Sequence, residues 1–202
     1  MLIKIKLLIL LLAVSLIPVS IIGTYSTLVI DESVQENSVF AVETVLSRIT
    51  KDIEYYLANT NQDIMFLSKS PALKSLIESD VSGDEAIYDD YKRQLQAFFQ
   101  EFSDTYGIYY QIRYIDELGK EVVRVDSDLF SSSIIREEEL QDKSNRYYFS
   151  ETMRLTSGQI FVSPLDLNVE KGEIEVPFRP VIRYGTPVFD EDGVKKGIVI
   201  TN

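Results

Sequence analysis

The chain has 202 residues and a formal net charge of −12 at pH 7, with 32 acidic and 20 basic side chains. This acidic excess argues against binding to nucleic acid or to anionic lipid headgroups, because both carry the same sign of charge. The sequence contains no cysteine and no histidine. Disulfides, thiolate chemistry, histidine metal ligands and Ser-His-Asp catalysis are therefore excluded within this chain.

An apolar stretch over residues 7–30 follows Lys4 and Lys6 and precedes Asp31 and Glu32. About 20 apolar helical residues cross a hydrocarbon core of about 30 Å, so this stretch is long enough to span a membrane. Basic residues before the span and acidic residues after it predict a cytoplasmic N-terminus. We predict an anchor over residues 1–30 in the inner or plasma membrane, with the bulk of a single-pass chain outside the cytoplasm. A cleaved signal peptide is the alternative, but its apolar region would be shorter and would end in a small-residue cleavage site.

The segment after the anchor shows helical periodicity as far as residue 68. Its apolar stripe consists of Val42, Val45, Leu46, Ile49, Ile53, Tyr56, Leu57, Ile64 and Leu67. Steps of three and four residues predict one long helix, which we interpret as a stalk over residues 31–70. The stripe is wide enough to pack against its own domain, against a second copy of the chain, or against both at different heights. A homodimer through the stalk is therefore expected.

Residues 71–202 predict an α+β domain. Ser70 and Pro71 mark the start of a short helix, and a second helix over residues 84–106 is expected to end at Gly107. From residue 108 the apolar period changes to two, which predicts antiparallel strands. These strands are predicted over residues 108–116, 121–126, 158–165, 174–183, 187–189 and 194–201, and residues 127–145 are predicted to form a loop with a short helix. Helices followed by consecutive antiparallel strands are typical of α+β domains.

The last predicted strand reaches the end of the sequence without a polar tail, so we expect the natural protein to continue beyond Asn202. A run of acidic residues at positions 190–192, followed by Gly193, resembles a calcium loop at first sight. It lacks the closing glutamate that such a loop requires, and Lys195 and Lys196 follow it. A hairpin turn is the better interpretation, and neither a metal site nor a cofactor is expected.

Arg146 is followed by three aromatic residues, Tyr147, Tyr148 and Phe149. An arginine beside aromatic rings can bind an anionic ligand and stack on it. The alternative is an arginine that covers a sheet edge while the aromatic side chains enter the core.

Two further arginines, Arg179 and Arg183, alternate onto one face of a predicted strand. They are either pocket residues or, as the acidic composition favours, surface charges that offset the acidic excess. Asp166 follows Pro164 and either turns the chain or lines a pocket.

Several stretches resemble extracytoplasmic double-Cache sensors, the tandem PAS-like domains of bacterial histidine kinases, chemoreceptors and diguanylate cyclases. The resemblance is carried by YQIRYID at 110–116, EVVR at 121–124, LQDK leading to RYYF at 140–149, FVSPLDLN at 161–168, PVIR at 180–183 and GIVITN at 197–202. It implies a PAS-like antiparallel sheet and an N-terminal fragment with anchor, stalk and membrane-distal domain. It also implies a ligand-sensing input function without catalysis, although a kinase or cyclase module could follow.

In the amine- and amino-acid-binding branch of that family, an Arg-x-Trp-Tyr-x-Asp element with a later Tyr and Asp holds the ligand. The corresponding residues here are Arg146, Tyr148, Phe149, Glu151, Phe161 and Asn202. Only the arginine is retained outright, and Asn202 replaces the carboxylate that would pair with a ligand ammonium. The resemblance therefore favours a carboxylated ligand held by Arg146 in a bidentate pair over a free amine. The candidate ligand-binding residues are Arg146, Tyr148, Phe149, Glu151, Phe161, Ser163, Asp166, Arg183 and Asn202.

Two functions of other classes remain open at this point. An anchored hydrolase would need two carboxylates in one pocket, for which the sequence offers Asp166 with Glu170 or Glu151. An anchored binding or adhesion protein would need no small-molecule pocket at all.

Overall fold

A computed structural model describes residues 2–128 and 131–202, and it describes side chains throughout these ranges except at residues 2, 27–39, 81 and 82. The chain divides into two compact units, Met1–Tyr56 and Leu57–Asn202. Helix α1 runs from Leu2 to Ser68. Its Ile3–Ser26 segment has a mean hydropathy of 2.7 and is long and apolar enough to cross a membrane. The last part of the predicted anchor, residues 27–30, lies outside the described side chains.

The apolar stripe of α1 has two environments. Val42, Ile49 and Ile53 in the first unit are exposed, whereas Ile64 and Leu67 in the second unit are fully buried. The buried end of the stripe therefore packs within the second unit, as one of the two interpretations of the stripe predicts.

Two helices with the predicted ends follow α1. Helix α2 spans Pro71–Ser82, and the side chain of Ser70 caps it by accepting a hydrogen bond from the backbone N–H of Leu73. Helix α3 spans Glu85–Tyr106, with Asp84 as its N-cap and Gly107 in the left-handed conformation at its C-terminal end. Both boundaries follow capping rules that can be applied to sequence alone.

The second unit contains a six-stranded antiparallel sheet. Its strands are β1 (Gln111–Ile115), β2 (Glu121–Ser127), β3 (Ser132–Ile134), β4 (Phe161–Val162), β9 (Tyr184–Phe189) and β10 (Lys195–Thr201), in the order β3-β2-β1-β10-β9-β4. Helix α4 (Tyr147–Arg154) lies between β3 and β4 in the sequence. Four two-residue strands pair outside this sheet: β5 (Asp166–Leu167) with β8 (Pro180–Val181), and β6 (Val169–Glu170) with β7 (Glu173–Ile174).

The two faces of the sheet have different partners. Ile112 and Tyr114 of β1 point into the main core, together with α2, α3 and the buried end of α1. Ile115, Ile198 and Ile200 point to the other face, where they pack on Tyr148 and Phe149 of α4. Because side chains alternate along a strand, the remaining residues of the second face include Gln111 and Arg113.

Three parts of the sequence-based assignment were wrong. The predicted strand over residues 174–183 is two separate short strands, β7 and β8, and the strand predicted over 158–165 is reduced to β4. Strand β3 lies in a segment predicted as loop, because its Ser132 and Ser133 have little β-propensity. Residues 163–183, which carry β5 to β8, form an irregular cover over the second face of the sheet, here called the flap.

Candidate ligand site

Strands β1 and β2 place charged residues on the second face of the sheet. Arg113 is paired with Arg124 across the two strands, and Gln111 is paired with Asp126. A register shift after Tyr114 brings Glu121 opposite Ile115, so that its carboxylate also faces this side. Arg113, Glu121 and Arg124 are all buried. Charged side chains in the interior are stable only when they are paired, so their partners define the site.

Arg113 reaches partners from three parts of the fold. Its Nη2 donates to Oδ1 of Asn202 at 2.7 Å, and its Nη1 lies 3.5 Å from Oε1 of Glu121 and 3.4 Å from the hydroxyl of Tyr148. Asn202 in turn donates from Nδ2 to Oε1 of Gln111 at 2.8 Å. The predicted site residue Asn202 thus contacts Arg113, which was not among the predicted site residues.

A second set of charged side chains lies beside Arg113, and its members pair mainly with one another. Arg124 donates to Asp126 at 2.7 Å and to Glu170 of the flap at 2.9 Å. Lys143 lies 3.5 Å from Glu170 and 3.9 Å from Glu121. Glu121 is fully buried at its side chain and accepts a hydrogen bond from the backbone of Gln141. Among the described residues, no group of three or more acidic side chains is arranged to hold a metal ion.

Glu170 stays ionised within this set. Burial by itself would raise the pKa of its carboxyl group. The positive charge of Arg124, the hydrogen bond from Gln111 and the charges of Lys143 and Arg113 outweigh burial, so the pKa lies well below its usual range. The flap is therefore attached to the sheet by a carboxylate that is charged at neutral pH.

Helix α4 carries the aromatic residues of the site. It buries Tyr148, Phe149 and Thr152 against the sheet. Gly185 of β9 permits this approach, because a Cβ at that position would lie 2.6 Å from Oγ1 of Thr152. Lys195 of β10 donates to the carbonyl oxygens of Met153 and Leu155 at the end of the helix, which is where a positive charge stabilises a helix.

Three arginines surround the ring of Tyr148. The guanidinium carbons of Arg113, Arg146 and Arg183 lie 5.5, 5.7 and 5.1 Å from the ring centroid. The Nε atoms of all three are buried and have no hydrogen-bond partner among the described residues. We call these three arginines and Tyr148 the arginine cluster. Each orphaned Nε–H is a buried donor that an acceptor from outside could satisfy.

Arg146 differs from the other two arginines of the cluster. The part of the chain that the structure describes provides its guanidinium with neither a hydrogen bond nor an ion pair, and its one close partner is the ring of Tyr148. It precedes α4 directly, as its N-cap residue. Arg146 is thus a cation held at the site by local backbone geometry and without an anion of its own.

Arg183 lies at the end of the flap and is held by other residues of the flap. It forms an ion pair with Asp166, and its Nη2 lies 3.2 Å from Oδ1 of Asn168. Its backbone N–H donates to Oγ of Ser163 at 2.8 Å. The favoured surface interpretation of Arg183 is therefore wrong, because its side chain is 1% exposed. The sequence could not reveal this burial, since Asp166 and Asn168 approach only after the flap has folded back over the sheet.

Asp166 has a second partner in Tyr147, whose hydroxyl donates to it at 2.6 Å. Burial and this hydrogen bond raise the pKa of the Tyr147 hydroxyl, so it remains protonated and acts as a donor. Arg179 lies outside the arginine cluster and stacks over Tyr110 at 3.9 Å from its ring centroid. The hydroxyl of Tyr110 donates to Glu175 at 2.8 Å, which is a further contact between the flap and the sheet.

The other predicted residues have mixed positions. Phe149 packs in the apolar cluster beneath α4, and half-buried Phe161 lies edge-on to Tyr147 at 6.2 Å between ring centroids. Glu151 does not join the site. It is exposed on α4 and pairs with Arg154 at 2.6 Å, because it lies about 200° around the helix from buried Phe149.

The second unit thus combines an antiparallel sheet, helices on one of its faces, and a basic aromatic cluster under the flap on the other face. The family described as bacterial histidine kinase, sensor domain, matches residues 79–202. The chain belongs to this family. The expected similarity to PAS-like sensors is confirmed. No curated protein matches the chain.

Solved structures with this fold are also sensory domains. A domain of a sensory box/GGDEF family protein from Vibrio parahaemolyticus is 25% identical with a TM-score of 0.59, and the match covers 75% of this chain and 58% of that one. The extracellular domain of the histidine kinase vpHK1S-Z8 is 26% identical with a TM-score of 0.59, and the match covers 75% and 56%. The chain thus spans little more than half the length of these domains.

A more distant neighbour is the ligand-binding domain of the Campylobacter jejuni chemoreceptor Tlp3, solved in complex with 4-methylisoleucine. It is 15% identical to this chain with a TM-score of 0.52, and the match covers 74% of this chain and 51% of that one. At this identity the likeness concerns the fold.

Proposed function

We propose that the chain is the extracytoplasmic input domain of a membrane receptor and that it binds a small carboxylated ligand at the arginine cluster. The observation that carries this proposal is Arg146, a site cation without an anionic partner among the described residues, whose Nε–H is one of three buried and orphaned donors in the cluster. A buried donor without a partner costs about 1–3 kcal/mol, and more when it is charged. A ligand carboxylate would satisfy several such donors at once through charge-assisted hydrogen bonds.

The proposed signal is a population shift. A ligand bound at Arg146 and Arg183 would favour the arrangement in which α4 and the flap lie on the sheet. The other face of the same sheet packs on Ile64 and Leu67 of α1, so the arrangement of the sheet is coupled to that helix. A ligand shifts such an equilibrium by its differential affinity, which corresponds to about 1.4 kcal/mol for each tenfold ratio.

Replacing Arg146 by glutamine is expected to abolish stabilisation by the carboxylates that bind the parent chain. Glutamine retains a donor but removes the charge, so the bidentate pair is lost. The measurement is thermal unfolding of the full chain in nonionic detergent, with and without each carboxylate. Arg154→Gln is the matched control, since Arg154 lies on the same helix, is exposed and pairs with Glu151. An Arg146→Gln chain that responds to the carboxylates as the parent does would disprove the assignment.

The geometry supports binding over hydrolysis. Asp166 accepts from Arg183 and Tyr147, and Glu170 is surrounded by Arg124, Lys143 and Gln111. A general acid needs a carboxyl group with a raised pKa, whereas the pKa of Glu170 is lowered. We therefore propose that these carboxylates fix the flap and that the chain itself is not an enzyme. A plain adhesion role would not account for the buried, unsatisfied donors of the arginine cluster.

We also propose that α1 anchors the chain with its N-terminus in the cytoplasm, and that the exposed stripe forms a homodimer. Leu46 and Ile53 repeat at seven residues, as do Val42, Ile49 and Tyr56, which is the a/d pattern of a coiled coil. The support is the exposure of these residues in the first unit.

Cysteine cross-linking tests this dimer cleanly, because the chain has no cysteine of its own. Ile49→Cys is expected to form a disulfide-linked dimer in membranes under mild oxidation. Lys51→Cys is the control, since it is two residues away and points to another side of the helix. Equal cross-linking at both positions would contradict pairing along the stripe.

A further inference from the structure

The charged groups around the arginine cluster do not balance. Five basic side chains contact one another or a shared partner there: Arg113, Arg124, Lys143, Arg146 and Arg183. Four carboxylates are paired with them: Glu121, Asp126, Glu170 and Asp166. Among the described side chains, this leaves one positive charge in excess. It resides at Arg146, the member without an ion pair.

The unsatisfied hydrogen-bonding groups of the site, among the described side chains, are all donors. Its orphaned atoms are three Nε–H donors. The acceptors nearby are already used: Oδ1 of Asn202 by Arg113, and the carboxylate of Asp166 by Arg183 and Tyr147. Glu121 is fully buried and accepts from Arg113 and from the backbone of Gln141. A ligand that brought additional donors would have to share acceptors that already hold protein donors.

An ammonium group would have a particular difficulty here. It would have to share Asp166 with the guanidinium of Arg183, which is 1% exposed, and it would add a second cation to a site that already has one in excess. Like charges close together repel, so an ammonium would gain little at a carboxylate that is already paired and one-third exposed. A ligand with two carboxylates has the opposite problem. The site has one positive charge in excess, so the second carboxylate would be buried without a cation.

From this balance we infer that the ligand is a monocarboxylate with no ammonium group and no second acidic group. The inference rests on the proposed function and specifies its ligand class. The carboxylate binds between Arg146 and the orphaned Nε–H groups of Arg113 and Arg183. The rest of the ligand faces the aromatic side chains of Tyr147 and Phe161.

Compounds matched in carbon number but different in charge provide the test. We would compare unbranched monocarboxylates of two to six carbons with the α-amino acids and the dicarboxylates of equal length. Thermal unfolding of the full chain in nonionic detergent identifies the compounds that bind, and titration gives their dissociation constants. We expect the best monocarboxylate to bind at least about tenfold more tightly than its amino-acid and dicarboxylate counterparts, and we expect this binding to be lost in Arg146→Gln.

The outcomes separate this inference from the proposed function. Suppose that an amino acid or a dicarboxylate binds as tightly as its monocarboxylate counterpart and that this binding is lost in Arg146→Gln. The inferred ligand class would then be wrong, and the proposed binding site at the arginine cluster would be retained. Absence of binding by every compound, or binding that persists in Arg146→Gln, overturns both.

Asp166→Asn gives a second, independent readout of the charge balance. It removes one carboxylate and raises the positive excess from one to two. We expect dicarboxylates to gain affinity relative to monocarboxylates in this variant, and amino acids to remain weak. If an amino acid binds the parent chain and is lost on Asp166→Asn, then Asp166 holds its ammonium and the inference is wrong.

Discussion

Replacing Glu121 by glutamine is expected to lower the free energy of unfolding by about 3–5 kcal/mol. The carboxylate of Glu121 is fully buried and lies within 4 Å of Arg113, Arg124 and Lys143. Glutamine has nearly the same shape and can still accept from the backbone of Gln141. The change therefore removes the negative charge and leaves buried cations without their shared anion.

Urea unfolding of the full chain in nonionic detergent would measure this loss. The chain has twelve tyrosines and no tryptophan, so near-ultraviolet circular dichroism of tyrosine reports on packing in the domain. Glu138→Gln is the matched control, because Glu138 is exposed and pairs with exposed Arg136. Surface pairs contribute about 0–1 kcal/mol, so this control should unfold close to the parent. Equal, small losses in both variants would show that Glu121 does not neutralise the three cations.

The helical part of the fold could be predicted from short-range signals. Ser70 before Pro71, Asp84 at the start of α3 and Gly107 at its end each act within one helical turn, and each stands where capping rules place it. The main strands β1, β2 and β10 could also be predicted, because alternation and turn residues are local patterns. Strand β3 and the four short strands of the flap could not, since two or three residues are too few to show the alternation that identifies a strand.

In the site, too, contacts between residues close in the sequence could be predicted, and contacts between distant residues could not. Arg146 and Tyr148 are neighbours in the sequence, and their proximity in the fold follows from the start of α4. Arg113 and Arg124 interrupt two apolar strands, which is a signal that could have been noticed. Glu170, the flap partner of Arg124, lies 46 residues away in the sequence, and no local pattern predicts that contact.

If the arginine cluster binds the proposed ligand, its buried charges give it a basis for selectivity. Among the described residues, most of its cations are neutralised by Glu121, Asp166 and Glu170, so a ligand would have to satisfy only the remaining positive charge. On this proposal, one carboxylate more or less in the protein changes the charge that the ligand must carry. Asp166 and Glu121 would then determine the ligand charge, although each is paired with protein groups.

The close approach of β10 to β1 leads to the second large expected effect, which concerns Gly197. Its φ is +128°, and a Cβ there would lie 2.1 Å from the carbonyl oxygen of Ile115. Gly197→Ala is therefore expected to lower the free energy of unfolding by about 3–5 kcal/mol, from backbone strain and a clash that no side-chain rotation relieves. It should also weaken carboxylate binding, because β10 leads directly into Asn202, which donates to Gln111 and accepts from Arg113.

Gly193→Ala separates the clash from the strain. Gly193 also has a positive φ, +77°, but a Cβ there would meet nothing within 4 Å. Its replacement should cost only about 1 kcal/mol, the usual penalty for alanine in a conformation that favours glycine. Urea unfolding of both variants, with tyrosine circular dichroism as the signal, gives the difference directly. A difference near zero would mean that β10 can move away from β1 without cost, and Asn202 could then not be held rigidly against Arg113. A large difference would show that this one glycine fixes the distance between the two central strands, and with it the position of Asn202 in the site.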